Sequence, residues 1–286
     1  MFLRRPVHLL ARGCPRWLPF TTQLFSPTRL FQTSTSMRLD IIEYTSLDAT
    51  TLASFQTQDG KLHLFNSLVC PFGHRALWTA VEVDAAFDMI GISLTAMPES
   101  YKTDFNRFGT VPFLLDDGEP VYESTIISQY IDAKVNGGKL YCADAPRLAA
   151  LAQLAVAKFE PSRFYAILHN SDDAKMPALE AEMRASLQGL ERIYREHAAA
   201  FRAKGPYLLG DRFSSAEINI MTFLFRFDIL LQHYRKVRVL GDDIPLLSAA
   251  LEASMARPAF ALTARDADFY IRGAKYPQRY FTAGEH

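Results

Sequence analysis

Cys70-Pro71-Phe72-Gly73-His74-Arg75 carries the strongest chemical signal in this 286-residue chain. It follows a strand-like stretch and opens a helix-like one. A thiol at a helix N-terminus faces unpaired backbone N–H groups and the positive end of the helix dipole. Both favour thiolate over thiol, so the spacing predicts a depressed thiol pKa at Cys70. Pro71 suits the first helical position, where no N–H is needed. A thiolate is both nucleophile and leaving group in disulfide exchange. The bland alternative is a small buried hydrophobe, a common fate of free cysteine. His74 shares a helical face with Cys70, but two ligands are too few for a metal, and none is expected. Gly73 stands where a second cysteine of a dithiol motif would be, so any resolving thiol comes from solution or from afar, with Cys142 the distant candidate.

Two further segments could complete a site. Val111-Pro112 begins a strand, where proline is awkward unless the backbone is special; a cis peptide there would turn the Val111 backbone toward a ligand. Glu123-Ser124 opens a helix, and Ser124 either caps it or offers its hydroxyl and N–H to a carboxylate. A fourth segment, Phe213-Ser-Ser-Ala-Glu-Ile218, reads as a folding element: Ser214 and Glu217 form a capping box, Phe213 and Ile218 a hydrophobic staple.

These segments need elements to hold them. Lys61–Asn66 alternates polar and apolar residues and predicts a strand. Ala76, Leu77, Ala80 and Val81 give the next helix one apolar face. Phe87–Leu94 reads as a strand. Thr110–Leu115 and Pro120–Tyr122 flank an Asp-Asp-Gly turn, a hairpin signal. Ile126, Ile127, Tyr130 and Ile131 face one side of the following helix. Residues 39–60 are weakly patterned and read as an extension. The domain organisation expected is a first domain over 61–134, a glycine-rich linker over 135–145 and an all-helical domain over 146–286. In the last, Arg147–Leu168, Met176–Arg202, Ser214–Tyr234 and Ile244–Met255 carry helical apolar spacing.

Composition bounds the function. Hydrophobic residues make up 49% of the chain and charged residues 22%, with a formal net charge of zero. That balance supplies a core and gives no basic field for nucleic acid. No apolar run is long enough for a membrane span. Three widely spaced cysteines, Cys14, Cys70 and Cys142, do not make a disulfide framework. Residues 1–38 differ from the rest: Met1 to Met37 contains five arginines, several hydroxyl residues and no Asp or Glu. This is the composition of a mitochondrial presequence, which implies a matrix protein. A start at Met37 would give a cytosolic form.

The ordered set of motifs from about Lys61 to Ala256 resembles the glutathione transferase superfamily. Cys70-Pro-Phe-x-x-Arg75 is similar to the omega class and its relatives with a catalytic cysteine. Phe108-Gly-Thr-Val-Pro112 resembles the family's cis-proline segment, Tyr122-Glu-Ser124 its γ-glutamyl motif, and Phe213–Glu217 its helical-domain capping box. The resemblance implies an α+β thioredoxin-like N-terminal domain followed by an all-α domain. It also implies glutathione as co-substrate. Cys70 would attack a glutathione mixed disulfide, and Val111, beside cis Pro112, would pair with the cysteinyl part. Glu123 and Ser124 would hold the γ-glutamyl end, and Phe72 also belongs to the implied glutathione-binding set. Arg163 and Tyr165 are acceptor-site candidates. A glutathione-dependent thiol transferase or reductase follows, acting on a small oxidised or glutathionylated substrate, with a homodimer allowed. Two positions depart from the pattern. Met97 stands where omega-like enzymes have lysine, leaving the glycine carboxylate of glutathione to Lys102 or Arg107, and Arg107 itself replaces a proline. Those departures motivate the alternative, a non-enzymatic subunit or assembly factor of a mitochondrial complex.

Overall fold

The computed structural model describes residues 39–197 and 205–274. The presequence assigned to residues 1–38 and the end of the Met176–Arg202 helix lie outside the described residues. Strand β1 (Ile41–Glu43) and a short helix α1 (Ala49–Ser54) come first, then β2 (Leu62–Asn66), α2 (Pro71–Glu82) and β3 (Phe87–Gly91). The hairpin β4 (Phe113–Asp116) and β5 (Glu119–Val121) leads into α3 (Ser124–Asn136). Strand order is β1-β3-β2-β4-β5. The pairs β1–β3 and β2–β3 are parallel, β2–β4 and β4–β5 antiparallel.

Period-two side-chain alternation gives this sheet two cores. Phe65, Ile90 and Phe113 pack on one face with Tyr44 and Tyr101. Leu62, Leu64, Met89 and Leu114 pack on the other with Ala76, Leu77, Ile127 and Ile131 of α2 and α3. The weakly patterned stretch 39–60 is part of this domain. Ile41 pairs with Met89 in β1, and Tyr44 and Phe55 enter the core. A strand this short has no room to display alternation, and the exposed edge of β3 defines it. His63, the polar member of β2, is also buried, against the Phe55 ring and between Asp59 and Asp88.

The second domain is helical throughout its described residues: α4 (Pro146–Lys158), α5 (Pro161–His169), α6 (Met176–Arg192), α7 (Ser215–Arg235), α8 (Pro245–Met255), α9 (Pro258–Thr263) and α10 (Ala267–Gly273). The helix expected over Arg147–Leu168 is broken in two. Pro161 lacks an N–H and cannot continue α4, but it fits the first turn of α5. The last two helices carry too few residues for a periodic signal. Helix α7 runs through the centre of this domain and is buried along most of its length. Trp78 of α2 sits in the same apolar cluster, so α2 serves both domains.

The capping box is present at the start of α7. Glu217 accepts from the Ser214 N–H and hydroxyl at 3.1 and 2.8 Å, and from the Leu208 N–H at 2.8 Å. The Tyr194 hydroxyl donates to the same carboxylate at 3.3 Å. One buried side chain thus fixes a helix start, a loop and the segment that follows α6. Replacing Ser214 with alanine should cost about 1–2 kcal/mol in urea unfolding, because α7 then loses its cap.

Candidate active site

Cys70 is the N-cap of α2. Its Sγ accepts from the Gly73 N–H at 3.4 Å and lies 3.7 Å from the Val111 carbonyl oxygen. The turn before it is fixed from both ends. The Cys70 N–H donates to the Ser67 carbonyl at 3.0 Å, and the His74 N–H closes the first helical bond on the Cys70 carbonyl at 3.0 Å. Asn66, the last residue of β2, is fully buried and staples the turn. Its Nδ2 donates to the Gly73 carbonyl at 3.0 Å, while its Oδ1 accepts from the Ser67 N–H at 2.7 Å. The side chain passes so close that a Cβ on Gly73 would lie 1.9 Å from Oδ1. Gly73 is therefore required by packing against Asn66, a role its place in the motif did not reveal.

The expectation of a depressed pKa at Cys70 does not hold for the free site. Burial pushes the thiol up. The Gly73 N–H, the Arg226 charge, the Phe72 N–H and the Arg75 charge all pull it down, but burial outweighs them. The sequence shows the helix end, whereas desolvation depends on what folds over it.

The second segment has the geometry that the sequence reading required. The Val111–Pro112 peptide is cis. The preceding carbonyl, of Thr110, accepts from the Tyr101 hydroxyl at 2.7 Å and from Asn106 Nδ2 at 2.9 Å. Asn106 Oδ1 in turn accepts from the Phe108 N–H at 3.0 Å. Two buried polar residues thus present the Val111 backbone to Cys70. Among the described residues Val111 makes no backbone–backbone hydrogen bond outside this arrangement.

At the third segment, Glu123 is the N-cap of α3, with φ 71° and an exposed side chain that makes no cap hydrogen bond. Ser124 is the first helical residue and is buried, so the reading of Ser124 as the cap is corrected. Its hydroxyl accepts from Arg75 Nη1 at 3.4 Å. The first bond of α3 runs from the Ile127 N–H to the Glu123 carbonyl at 2.8 Å, which leaves the N–H groups of Ser124, Thr125 and Ile126 outside the helical ladder.

The helical domain supplies the remaining wall. Phe72 meets the edge of Phe223 at 5.0 Å between centroids. Tyr165 packs edge-on against Phe227 at 4.8 Å. Burial pushes its hydroxyl pKa up, and Cys70 is the next contributor, so the two share one electrostatic environment. Arg163 does not join it. Its guanidinium pairs with Glu182 and, at 3.6 Å, with Glu160 on the outer face of α5. Two residues along a helix is about 200° of rotation, so Tyr165 and Arg163 point to different sides.

Both ring nitrogens of His74 are hydrogen-bonded within the fold. Its Nδ1 accepts from Arg226 Nη1 at 2.8 Å, which leaves Nε2 protonated toward Thr263 Oγ1 at 2.9 Å. The Thr263 hydroxyl in turn donates a hydrogen bond to the Ala259 carbonyl at 2.8 Å. Burial, Arg226 and Arg265 hold the imidazole pKa well down, so it is neutral. Arg75 donates through Nε and Nη2 to the Asn219 carbonyl at 3.2 and 2.9 Å and lies over the Phe223 ring at 4.5 Å. Burial lowers its pKa to about 10. Met97 packs against the sheet core, Lys102 pairs with Glu99 at 2.9 Å, and Arg107 lies over the Phe108 ring at 4.9 Å. Sequence reasoning missed Arg226. Its signal was a lone charge inside the aromatic run Phe223–Phe227, which the helical spacing assigned to the core.

The site can be set beside known proteins. The glutathione S-transferase N-terminal domain model matches residues 64–139, and the C-terminal domain model of the same family matches residues 174–263. Protein IN2-1 homolog A of Oryza sativa subsp. japonica is 29% identical over 221 residues, 76% of this chain and 86% of that protein. Probable glutathione S-transferase DHAR1, cytosolic, of the same plant is 27% identical over 207 residues, 71% of this chain and 88% of that one. Glutathione S-transferase omega-1 of Sus scrofa is 24% identical, over 70% of this chain and 79% of that one. Among solved structures, glutathione transferase Omega 3C of Trametes versicolor superposes with a TM-score of 0.63 at 20% identity, covering 81% of this chain and 97% of that one. The fold likeness at that identity concerns architecture alone.

Replacing Gly73 with alanine should destabilise the first domain by about 1–3 kcal/mol, because Asn66 cannot yield without breaking its two turn bonds. Urea unfolding measures this. An alanine variant as stable as the parent would mean that the Asn66 staple does not constrain the turn.

Proposed function

The chain belongs to the glutathione S-transferase family, and on that basis we propose that it is a glutathione-dependent thiol transferase or reductase working through a Cys70–glutathione mixed disulfide. One observation carries the reading: Cys70 Sγ sits at a helix N-terminus 3.7 Å from the carbonyl of Val111, beside a cis proline. The residues present suit a tripeptide thiol. The Val111 backbone can pair with an extended peptide, as a strand edge does. The first N–H groups of α3 suit a carboxylate. Phe72 and Tyr165 offer apolar surface for an acceptor.

The chemistry balances as two thiol–disulfide exchanges. The Cys70 thiolate attacks the glutathione sulfur of a glutathionylated substrate. The substrate thiolate leaves and the Cys70–glutathione disulfide forms. The thiolate of a reduced glutathione then attacks the glutathione sulfur of that disulfide, releasing oxidised glutathione and the Cys70 thiolate. Dehydroascorbate is one small oxidised acceptor to test, because the Chlamydomonas reinhardtii protein of like fold is described as a dehydroascorbate reductase; there the Cys70 thiolate would add to a carbonyl carbon, whose oxygen takes a proton, and the thiolate of a reduced glutathione would attack the Cys70 sulfur, releasing ascorbate with the electron pair and forming the same Cys70–glutathione disulfide. The N-terminal composition supports delivery to the mitochondrial matrix, with a cytosolic form from Met37.

The alternative, a non-enzymatic subunit, draws on Met97. An apolar side chain packed in the core offers no cation for a glycine carboxylate.

Two experiments check these readings. Incubated with oxidised glutathione, the chain from Leu39 should gain the mass of one glutathione, reversed by reduced glutathione and absent from Cys70→Ser. No adduct, or the same adduct on the variant, favours the non-enzymatic subunit. Fused to a fluorescent reporter, residues 1–38 should carry it into mitochondria; a cytosolic reporter would sink the localisation.

A further inference from the structure

Two arginines lie buried around Cys70, and among the described residues neither has a carboxylate partner. Arg226 of α7 is 3% exposed and Arg75 of α2 is 7% exposed. Arg226 Nη1 donates to His74 Nδ1 at 2.8 Å and to the Thr222 carbonyl at 3.0 Å. Nη2 donates to the Leu68 carbonyl at 3.1 Å and to the Tyr270 hydroxyl at 3.4 Å, and the guanidinium lies over the Tyr270 ring at 4.5 Å. Nε is buried with no protein partner. Every acceptor is neutral. A buried charge is retained at a cost unless an anion compensates it, and among the described residues no carboxylate does so.

The position of this cation is specific. Leu68 lies two residues before Cys70 and His74 four residues after it. Arg226 therefore clamps both sides of the turn that carries the thiol, from the other domain. The charged and titratable groups around the thiol are Arg75 and His74 of α2, Tyr165 of α5, Arg226 of α7, and Arg265 and Tyr270 near α10. His74 is held neutral, burial pushes the Tyr165 hydroxyl pKa up, and the Tyr270 hydroxyl accepts from Arg226 and from the Arg265 N–H, so among the described residues the thiol is surrounded by cations with no carboxylate. The anion that appears there in turnover is the Cys70 thiolate itself.

We propose that Arg226 is a positioning residue whose uncompensated buried charge stabilises the Cys70 thiolate, so that the helical domain sets the reactivity of the cysteine in the other domain. The inference rests on the proposed thiol-transfer reading for its purpose, though the thiolate can be measured without any glutathione. In the second exchange, glutathione attacks its own kind in the mixed disulfide, the bond to Cys70 breaks, and Cys70 leaves with the electron pair. A nearby cation favours that departure. The Arg226 charge is one of the influences that pull the thiol down against its burial.

The test is the pH profile of Cys70 alkylation by iodoacetamide, with the adduct located by peptide mass. In the parent the rate should still be climbing above neutral pH, because burial raises the thiol and the thiolate fraction grows as pH rises through that raised value. Arg226→Gln should move the profile up by roughly one pH unit, a tenfold loss of thiolate at neutral pH. Arg226→Lys, which keeps the charge and loses the forked hydrogen bonds, should restore the profile to within about threefold. Should the Gln variant fail to fold, Thr222→Asp gives the same answer. It sets a carboxylate four residues before Arg226 on α7, neutralises the cation in place and should likewise move the profile up. An unchanged profile in Arg226→Gln or Thr222→Asp, or a Lys variant as slow as the Gln one, would overturn the proposal. A normal profile with no glutathione adduct would instead count against the thiol-transfer reading alone.

Discussion

The interlock of α2 with α7 is the contact on which the rest of the structure depends. Arg75 reaches from α2 to the Asn219 carbonyl of α7, and Arg226 reaches back from α7 to His74 and to the Leu68 carbonyl. Trp78 adds an apolar anchor in the core of the helical domain. These contacts fix α2 from outside its own domain while Ala76, Leu77 and Ala80 fix it to the sheet. The residue at the head of α2 is Cys70, so the site inherits the rigidity of both domains. Ser124 is drawn into the same arrangement, because Arg75 also donates to its hydroxyl. The starts of two helices, α2 and α3, are thereby tied together through one guanidinium.

The electrostatics at Cys70 are a competition between two consequences of folding. Closing the domains removes water and penalises the thiolate. The same closure brings in Arg226 and Arg75, and the helix start contributes the N–H groups of Phe72 and Gly73. In the free protein burial wins. Catalytic cysteines generally owe their acidity to such surroundings, and a motif states only part of them.

Some readings failed for definite reasons. Residues 39–60 carry a strand and a short helix that no periodicity announced, because each is too short to repeat. Arg163 and Tyr165 were candidates through the family resemblance; helical rotation sends Arg163 to an ion pair with Glu160 and Glu182, while Tyr165 shares the electrostatic surroundings of Cys70. Ser124 had two roles open, and the structure gives its hydroxyl to Arg75 instead of the cap. Gly73 looked like a missing cysteine, whereas its lack of a side chain admits Asn66.

The sequence by itself determined the local elements: the strand before Cys70, the helix that Pro71 opens, the Asp-Gly hairpin, and the capping box at Ser214 and Glu217. Each rests on interactions within a few residues, so each leaves a pattern in the chain. The two-domain architecture was legible for a related reason, since runs of helical spacing follow a mixed α and β half. Tertiary structure alone decided that Arg226 stands beside Cys70, from which it is 156 positions distant in the chain. It also decided that His74 is neutral and that burial raises the thiol. Those outcomes depend on desolvation and on charges brought together across a domain boundary, and no local pattern encodes either.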